Sequence, residues 1–232
     1  MDLQDAWERN AADWVLWARK PGHDSYWRFH RDRFLDLVPD PGRLTIDVGC
    51  GEGRVTRDLK ELGHRAVGLD ASETMIAAAR EADPSGEYLV ANAAELPFAD
   101  GHADLAVAFM SLMDVDDMAA AVRELARVLE PDGTLALAVV HPINSAHDVD
   151  RQHPEDRLVL TENYFDRRRY SDFLERDDVK MTFESRHYTL QDYFDALLGA
   201  GFKIEALREI GDPQHPRWSR YPLFLHVLAR VR

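Results

Sequence analysis

The chain has 232 residues, of which 45% are hydrophobic and 30% are charged, a composition typical of a globular protein and not of a disordered or fibrous one. Its formal net charge of −14 disfavours nucleic acid and anionic membranes as partners, because both are bound mainly through lysine and arginine. The single cysteine, Cys50, excludes an intrachain disulfide. A polar, acidic N-terminal stretch and the lack of an 18-residue apolar run predict a cytoplasmic protein.

Residues 1–40 predict one or two helices rich in aromatic side chains, and we expect them to form a lid segment. His23, Tyr26 and Trp27 would fold over a ligand as part of this lid, although simple aromatic packing explains them almost as well. From residue 42 to about 140, short β-rich runs alternate with helical patterns, which predicts a parallel sheet flanked by helices. The strands are expected at Leu44–Val48, Arg65–Asp70, Glu87–Ala91, Ala103–Met110 and Thr134–Val140.

The regular pattern breaks after residue 142. Residues 143–186 are charged, partly aromatic and without clear periodicity, so we expect a cap inserted into a main domain of residues 41–232. Thr189 and Asp192 then predict a capping box for a helix that runs to Leu198. Two further strands, Phe202–Ile210 and Leu223–Val231, are too close in the chain for a crossover helix. They predict an antiparallel pair at the edge of the sheet.

A glycine-rich loop follows the first strand, where Asp47, Gly49, Gly51 and Gly53 alternate along the chain. Glycines between a strand and a helix allow a sharp turn and a close approach of the backbone to a ligand. The dinucleotide pattern Gly-x-Gly-x-x-Gly is not met, and no Gly-Lys-Ser/Thr of a phosphate-binding loop follows. Asp47 would repel a pyrophosphate and attract an ammonium group. The loop therefore favours a nucleoside that carries a cationic tail.

Asp70 ends the second predicted strand, 23 residues beyond Asp47. This is close to the spacing of about 20 residues at which an acidic side chain binds ribose hydroxyls in nucleotide-binding βαβ units. An acidic residue at an exposed strand end is the alternative. The glycine loop upstream favours ribose binding.

Five short motifs in this order resemble the class I S-adenosylmethionine-dependent methyltransferases. They are Asp47-Val-Gly-Cys-Gly-Glu-Gly, Gly68-Leu-Asp-Ala-Ser, Asn92-Ala-Ala-Glu-Leu-Pro-Phe, Asp104-Leu-Ala-Val-Ala and Arg127-Val-Leu-Glu-Pro-Asp-Gly. The resemblance implies a Rossmann-like α/β fold, with a seven-stranded, mostly parallel sheet, an antiparallel last strand and helices on both faces. It also implies S-adenosylmethionine as cofactor and S-adenosylhomocysteine as product.

The resemblance assigns cofactor contacts to positions of this chain. The methionine end would lie at Asp47 and the loop Gly49, Cys50, Gly51 and Gly53, where Cys50 is a small filler and not a nucleophile. Asp70 would hold the ribose. The adenine would lie against Ala71, Met75, Asn92 and Ala93, with Met110 and Ser111 below the cofactor. The family commonly has Asp where this chain has Asn92, whose amide still hydrogen-bonds adenine. For Met75, packing of a helix on the sheet is an equally good explanation.

The expected reaction is methyl transfer to an oxygen or nitrogen atom of a small molecule, with carbon as an open alternative. His141 follows the fifth strand at the ligand-binding edge and is the candidate base, with His187 and Tyr188 as further candidates. No histidine spacing predicts a metal site. Asp114-Val-Asp-Asp lacks the glycine of a calcium loop and is interpreted as the acidic start of a helix. The alternatives are a non-catalytic binding module of the same fold or an NAD-dependent oxidoreductase. We expect a monomer or homodimer.

Overall fold

The computed structural model describes residues 2–146, 158–160 and 163–232. Within these residues the strands are β1 (Thr45–Val48), β2 (Ala66–Asp70), β3 (Glu87–Val90), β4 (Ala103–Phe109), β5 (Leu129–Val140), β6 (Arg169–Arg176), β7 (Val179–Arg186), β8 (Phe202–Ile210) and β9 (Phe224–Val231). The α-helices are α1 (Leu3–Arg19), α2 (Arg31–Leu35), α3 (Arg54–Glu61), α4 (Glu73–Ala82), α5 (Met118–Val128), α6 (Pro142–Ser145) and α7 (Leu190–Gly199). A π-helical turn at Tyr26–His30 precedes α2, and a 3-10 turn at Leu112–Asp114 follows β4.

Seven of these strands form one sheet in the order β3-β2-β1-β4-β5-β9-β8. The strands β1 to β5 pair in parallel, whereas β9 is antiparallel to both β5 and β8. Six strands therefore run in one direction and β9 runs in the other. This confirms the predicted seven-stranded Rossmann-like sheet with an antiparallel last strand. The predicted antiparallel pair is present, with β8 as the outer strand and β9 inserted beside β5.

Both faces of the sheet are covered, and β4 shows this most directly. Ala106 and Ala108 pack into one core with residues of α5 and α7, while Leu105 and Val107 pack into a second core with residues of α3. Because side chains alternate along a strand, the two cores lie on opposite faces. Each fully buried aliphatic side chain stabilises the fold by about 1.5–3 kcal/mol relative to exposure, which explains the continuous apolar runs of the central strands.

Two helices begin at the caps that the sequence predicts. The hydroxyl of Ser72 accepts a hydrogen bond from the Met75 backbone N–H at 3.1 Å, at the start of α4. Thr189 and Asp192 form a reciprocal capping box at the start of α7. Each side chain satisfies a backbone N–H that has no partner within the helix, and the positions of both helix starts are therefore determined locally.

The segment before α7 contains a β-hairpin, where the sequence shows little periodicity. Strands β6 and β7 pair over eight residues each, and the turn between them uses Asp177 and Asp178 with φ of 49° and 62°. Two residues with positive φ suit the right-handed twist of a hairpin. The usual Asn-Gly signal is absent here, and polar residues occur on both strands. The cap over residues 143–186 remains a prediction as a whole, because residues 147–157 and 161–162 lie outside the described part.

Helix α1 lies against the free edge of this hairpin. The indole N–H of Trp7 donates to the Glu184 carbonyl at 2.8 Å, and the Asn10 amide donates to the Thr182 carbonyl at 3.1 Å. These bonds occupy carbonyl groups on the edge of β7 that would otherwise be open to another chain. Residues 1–40 as a separate lid segment remain a prediction. Across the described part of the chain, we find no helix with the length and apolar character needed to cross a membrane.

Candidate active site

A cavity of about 690 Å³ opens at the carboxyl ends of β1, β2, β3 and β4. This is where open parallel sheets bind their ligands, and the volume is that of a typical small-molecule site. One part of its wall follows the strand ends and contains the glycine loop. Other parts belong to α1, the β6–β7 hairpin and the segment 212–224. The sheet, the N-terminal helix and the hairpin therefore share a single site.

The glycine loop turns sharply at the end of β1. The backbone N–H groups of Gly49 and Cys50 both donate to the Leu69 carbonyl, at 2.7 and 2.9 Å. Gly49 has φ of 75°, and a Cβ placed on it would lie 2.2 Å from Cβ of Ser111. A residue with a side chain does not fit there without displacing the Ser111 backbone. The loop is thereby held against the start of the segment that follows β4.

Asp70 binds the same loop from the end of β2. One of its oxygens accepts from the Gly51 N–H at 2.8 Å and the other from the Ser72 N–H at 2.9 Å. Burial raises the pKa of Asp70, and the two backbone donors partly offset this effect. A carboxylate has about four acceptor positions, so Asp70, which lines the cavity, retains capacity for hydroxyl groups of a ligand.

Asp47 is almost fully buried below the loop and lines the cavity. One oxygen accepts from the Thr56 hydroxyl at 2.6 Å, while Oδ1 has no hydrogen-bond partner among the described residues. Burial raises the pKa of Asp47 to about 7. A buried carboxyl with an unsatisfied oxygen is costly unless a donor or a cation approaches. Asp47 therefore fits a ligand that presents a cationic amino group to the loop.

Eleven of the twelve predicted cofactor residues line this cavity, and Gly53 does not. The eleven are Asp47, Gly49, Cys50, Gly51, Asp70, Ala71, Met75, Asn92, Ala93, Met110 and Ser111. Gly53 instead caps α3 with φ of 84°, and a Cβ on it would meet the Tyr88 ring at 2.9 Å. The alternation of glycines along the loop suggested a ligand contact, but this glycine is required by the turn into the helix.

The remaining loop and adenine-side residues have clear local environments. Cys50 is buried against Ile76, Ala79 and Tyr88, and burial raises the pKa of its thiol well above the usual range, as befits a small packing residue. Asn92 uses its amide oxygen to accept from the Ala94 N–H at 2.8 Å. Because an amide oxygen has two lone pairs, it still has room for one donor from a ligand.

The three predicted catalytic residues lie outside the cavity wall. His141 accepts from the Ile143 N–H at 3.1 Å through Nδ1, and Nε2 faces Glu209 at 3.1 Å. Nδ1 therefore holds no proton, Nε2 donates, and the imidazole has no free lone pair for a base. The expectation that strand five delivers this side chain to the cavity is wrong, because His141 caps α6 and turns towards β8.

His187 and Tyr188 were also expected at the site of catalysis, but their side chains do not line the cavity. Both ring nitrogens of His187 are occupied, by the Ser145 hydroxyl at 2.7 Å and the Tyr164 carbonyl at 2.8 Å. The ring of Tyr188 packs against that of Tyr193 in the core beside α7. The junction between hairpin and helix thus uses these residues to hold the fold together.

One wall of the cavity combines tryptophans of the aromatic-rich N-terminal segment, which were expected near a ligand, with Phe183, which the sequence interpretation did not name. Aromatic rings of α1 and β7 pack edge to face, with centroids 6.0 Å apart for Trp7–Trp14, 5.9 Å for Trp14–Phe183 and 6.0 Å for Trp17–Phe183. Of the three residues predicted to fold over a ligand, His23 and Tyr26 line the cavity, whereas Trp27 does not and is half exposed. A period of two in β7 at Phe183 and Ser185 was the available signal, and short polar strands obscure it.

Asp114 also lines the cavity, whereas the sequence interpretation placed it in the acidic start of a helix and gave it no role in a site. It ends the 3-10 turn after β4, and its Oδ1 accepts from the Ser185 hydroxyl at 2.6 Å. Burial raises the pKa of Asp114 well above its usual range. Of the acidic run that begins here, only Asp117 caps α5. In the described part of the chain, no group of three or more histidine, cysteine or carboxylate side chains has the arrangement of a metal site.

Comparison with known proteins identifies the central part of the chain. A family model described as a methyltransferase domain matches residues 46–137. Malonyl-[acyl-carrier protein] O-methyltransferase of Pectobacterium atrosepticum is 33% identical over 110 residues, which cover 47% of this chain and 44% of that protein. Demethylmenaquinone methyltransferase of Corynebacterium urealyticum is 37% identical over 117 residues, which cover 50% and 49%. The match thus spans about half the length of these curated relatives.

The similarity to solved structures extends over most of the chain. An S-adenosylmethionine-dependent methyltransferase from Mesorhizobium loti is 26% identical and superposes with a TM-score of 0.69, covering 89% of this chain and 98% of that one. The [4+2]-cyclase SpnF superposes with a TM-score of 0.66 at 17% identity, over 100% and 97% of the two chains. The second likeness concerns the fold alone, and a fold does not define a reaction.

Proposed function

Since the chain carries a methyltransferase domain of the class I S-adenosylmethionine-dependent family, we propose that it methylates an oxygen or nitrogen atom of a small molecule. The observation that carries this proposal is the single cavity. It joins the glycine loop, Asp70 and Asn92 to a wall of aromatic rings on α1 and β7. Two molecules can meet in such a space, one at the strand ends and the other beneath α1 and the hairpin.

The residues at the strand ends suit S-adenosylmethionine, the cofactor of this family. Asp47 offers a buried, unsatisfied carboxyl oxygen to its amino group, Asp70 offers acceptor positions to its ribose, and Asn92 offers an amide to its adenine. When bound, the cofactor supplies an electrophilic methyl group on a positively charged sulfur. The work of the protein is then to orient the acceptor and to exclude water.

The aromatic wall is suited to both tasks. Trp14 and Trp17 of α1 and Phe183 of β7 present rigid apolar faces to the cavity. Flat rings hold a small molecule in one orientation at little entropic cost, and they leave few sites where water would be bound. Gly51 lies directly beneath this wall, because a Cβ on it would be 3.2 Å from Nε1 of Trp14. The two halves of the cavity are therefore contiguous.

Ligand binding and turnover test this proposal separately. S-adenosylmethionine and S-adenosylhomocysteine should raise the melting temperature, because a ligand specific for the folded state stabilises it, and NAD should not. When S-adenosylmethionine is supplied together with small hydroxylated or amino compounds, we expect S-adenosylhomocysteine to form. Stabilisation by NAD alone would instead support an oxidoreductase. Tight cofactor binding without turnover on any acceptor would support a non-catalytic binding module.

A further inference from the structure

One face of the β6–β7 hairpin forms the roof of the cavity. The hairpin residues that line the cavity alternate along both strands and are Tyr170, Asp172, Leu174, Arg176, Phe183 and Ser185. In the strand pairing, Tyr170 lies opposite Ser185 and Asp172 opposite Phe183. Since side chains alternate between the faces of a strand, the neighbouring residues point away from the cavity. The roof therefore presents these six side chains to the cavity, and not those of their neighbours along the strands.

A carboxyl group from the sheet meets this roof. Ser185 donates its only hydroxyl proton to Oδ1 of Asp114 at 2.6 Å. Burial raises the pKa of Asp114, the Ser185 hydrogen bond partly offsets this, and no lysine, arginine or histidine contributes to the shift. Asp114 is thus a deeply placed cavity carboxyl that the described residues leave without a positive partner.

The charged groups that line the cavity also suit a positively charged ligand. Nine carboxyl groups and three arginines line it, and each arginine is already engaged. Arg54 forms an ion pair with Asp24, and Arg28 forms one with Asp212 at 2.7 Å. Arg176 donates to the carbonyls of residues 22 and 23, at 3.0 and 2.6 Å. Glu52 is also paired, with Arg19 and Arg57, and burial raises the pKa of Asp47, Asp70 and Asp114. The carboxyl groups that line the cavity still outnumber the arginines that contact them, so the cavity favours cations over anions.

The aromatic side chains next to Asp114 suit a cation as well. Phe183 lies two residues from Ser185 on the same face of β7, and its ring contacts those of Trp14 and Trp17. An ammonium group near the faces of such rings is stabilised by cation–π attraction, the more so when water is excluded. A carboxylate acceptor would find no free guanidinium among the three cavity arginines. A neutral alcohol would leave the excess negative charge uncompensated.

We infer that the acceptor is a small cationic amine on an apolar or aromatic skeleton, and that Asp114 binds its ammonium group and accepts its proton. This inference rests on the proposed function and narrows it to nitrogen. The ammonium group loses one proton to a carboxylate oxygen of Asp114. The freed nitrogen lone pair forms the N–C bond to the methyl group, while the C–S bond breaks and its electron pair remains on sulfur. The product is a methylated ammonium ion, and the proton on Asp114 passes to solvent when the product leaves.

Binding of three matched probes tests the inference without requiring turnover. The probes are 2-phenylethylamine, 2-phenylethanol and 3-phenylpropionate, which differ mainly in charge. Calorimetry with and without saturating S-adenosylhomocysteine should show the amine binding at least 10-fold more tightly than the other two. Asp114→Asn keeps the acceptor for Ser185 but removes the charge. It should weaken amine binding by about 10- to 100-fold and leave the affinity for the alcohol and for S-adenosylhomocysteine within about threefold.

Glu184→Gln is the matched control. The substitution removes a carboxylate from the residue next to Ser185. The Glu184 side chain lies on the other face of β7, where it accepts a hydrogen bond from the Ser171 hydroxyl at 2.7 Å. Amine affinity and turnover should equal those of the parent protein. In turnover, Asp114→Asn should reduce methylation of the amine by about 10²- to 10⁴-fold.

Two results would overturn the inference. The first is that the parent protein binds the alcohol or the carboxylate as tightly as the amine, or more tightly. This result is decisive even if Asp114→Asn does not fold. The second is a folded Asp114→Asn protein that binds and methylates the amine like the parent. In both cases the proposed function survives if other acceptors yield S-adenosylhomocysteine. If the parent binds no S-adenosylhomocysteine and forms none with any acceptor, the proposed function itself is wrong.

Discussion

Gly49 leaves no space for a side chain, and this makes its replacement a quantitative test of the loop. In Gly49→Ala the new Cβ would be 2.2 Å from Cβ of Ser111, and the backbone would keep φ near 75°. A left-handed conformation costs a residue with a side chain about 1–2 kcal/mol, and overpacking costs about 1–3 kcal/mol more. We therefore expect the free energy of unfolding to fall by about 2–5 kcal/mol.

Gly201→Ala separates the two contributions. Gly201 has φ of 92° but nothing within 4 Å of an added Cβ, so it should lose only the conformational part, about 1–2 kcal/mol. Urea unfolding followed by circular dichroism measures both variants, provided that the m-value stays constant. Ser111→Gly in the Gly49→Ala background should recover part of the loss, which a double-mutant cycle quantifies. If Gly49→Ala is no more destabilised than Gly201→Ala, the contact with Ser111 does not constrain the loop.

Three further predictions concern the ribose acid, a buried histidine and the former candidate base. Asp70→Ala should weaken S-adenosylhomocysteine binding by about 1.5–3 kcal/mol, and a calorimetric affinity within twofold of the parent would contradict ribose binding. Burial lowers the pKa of His226 to about 4 in the folded protein, compared with about 6.5 in the unfolded chain. The neutral His226 therefore contributes its full stability above pH 6.5, and this contribution is lost as the pH falls towards 4. Urea unfolding should show a loss of about 3 kcal/mol from this group. His226→Phe should not show that part of the loss, and superimposable pH curves for the two proteins would refute the reasoning. His141→Ala should lower the melting temperature and leave kcat within a few fold of the parent value, because both ring nitrogens of His141 serve the fold. An unchanged melting temperature together with a kcat reduced more than 100-fold would restore His141 as the base.

The cofactor half of the site could be predicted because its residues are close together in the chain and use the backbone. A loop between a parallel strand and a helix has few possible paths, and Gly49 and Gly51 both adopt the positive φ that such a turn requires. Asp70 follows from the same βαβ unit, since neighbouring parallel strands end at the same edge. Gly53 shows the limit of this reasoning, because a turn glycine and a ligand-contact glycine look identical in sequence.

For the part of the cavity beneath α1 and the hairpin, sequence reasoning could point to segments but not to individual contacts, because these groups meet only in the folded chain. Asp114 and Ser185 are separated by 71 positions, and Trp7 meets the Glu184 carbonyl across 177 positions. His141 illustrates the converse, since its place at a strand end is local but its direction depends on α6 and Glu209. The short-range conformational preferences of the chain thus determined the sheet and the cofactor loop. Long-range packing of α1 and the hairpin over the strand ends decided which side chains face the cavity, because that depends on contacts between segments far apart in the sequence.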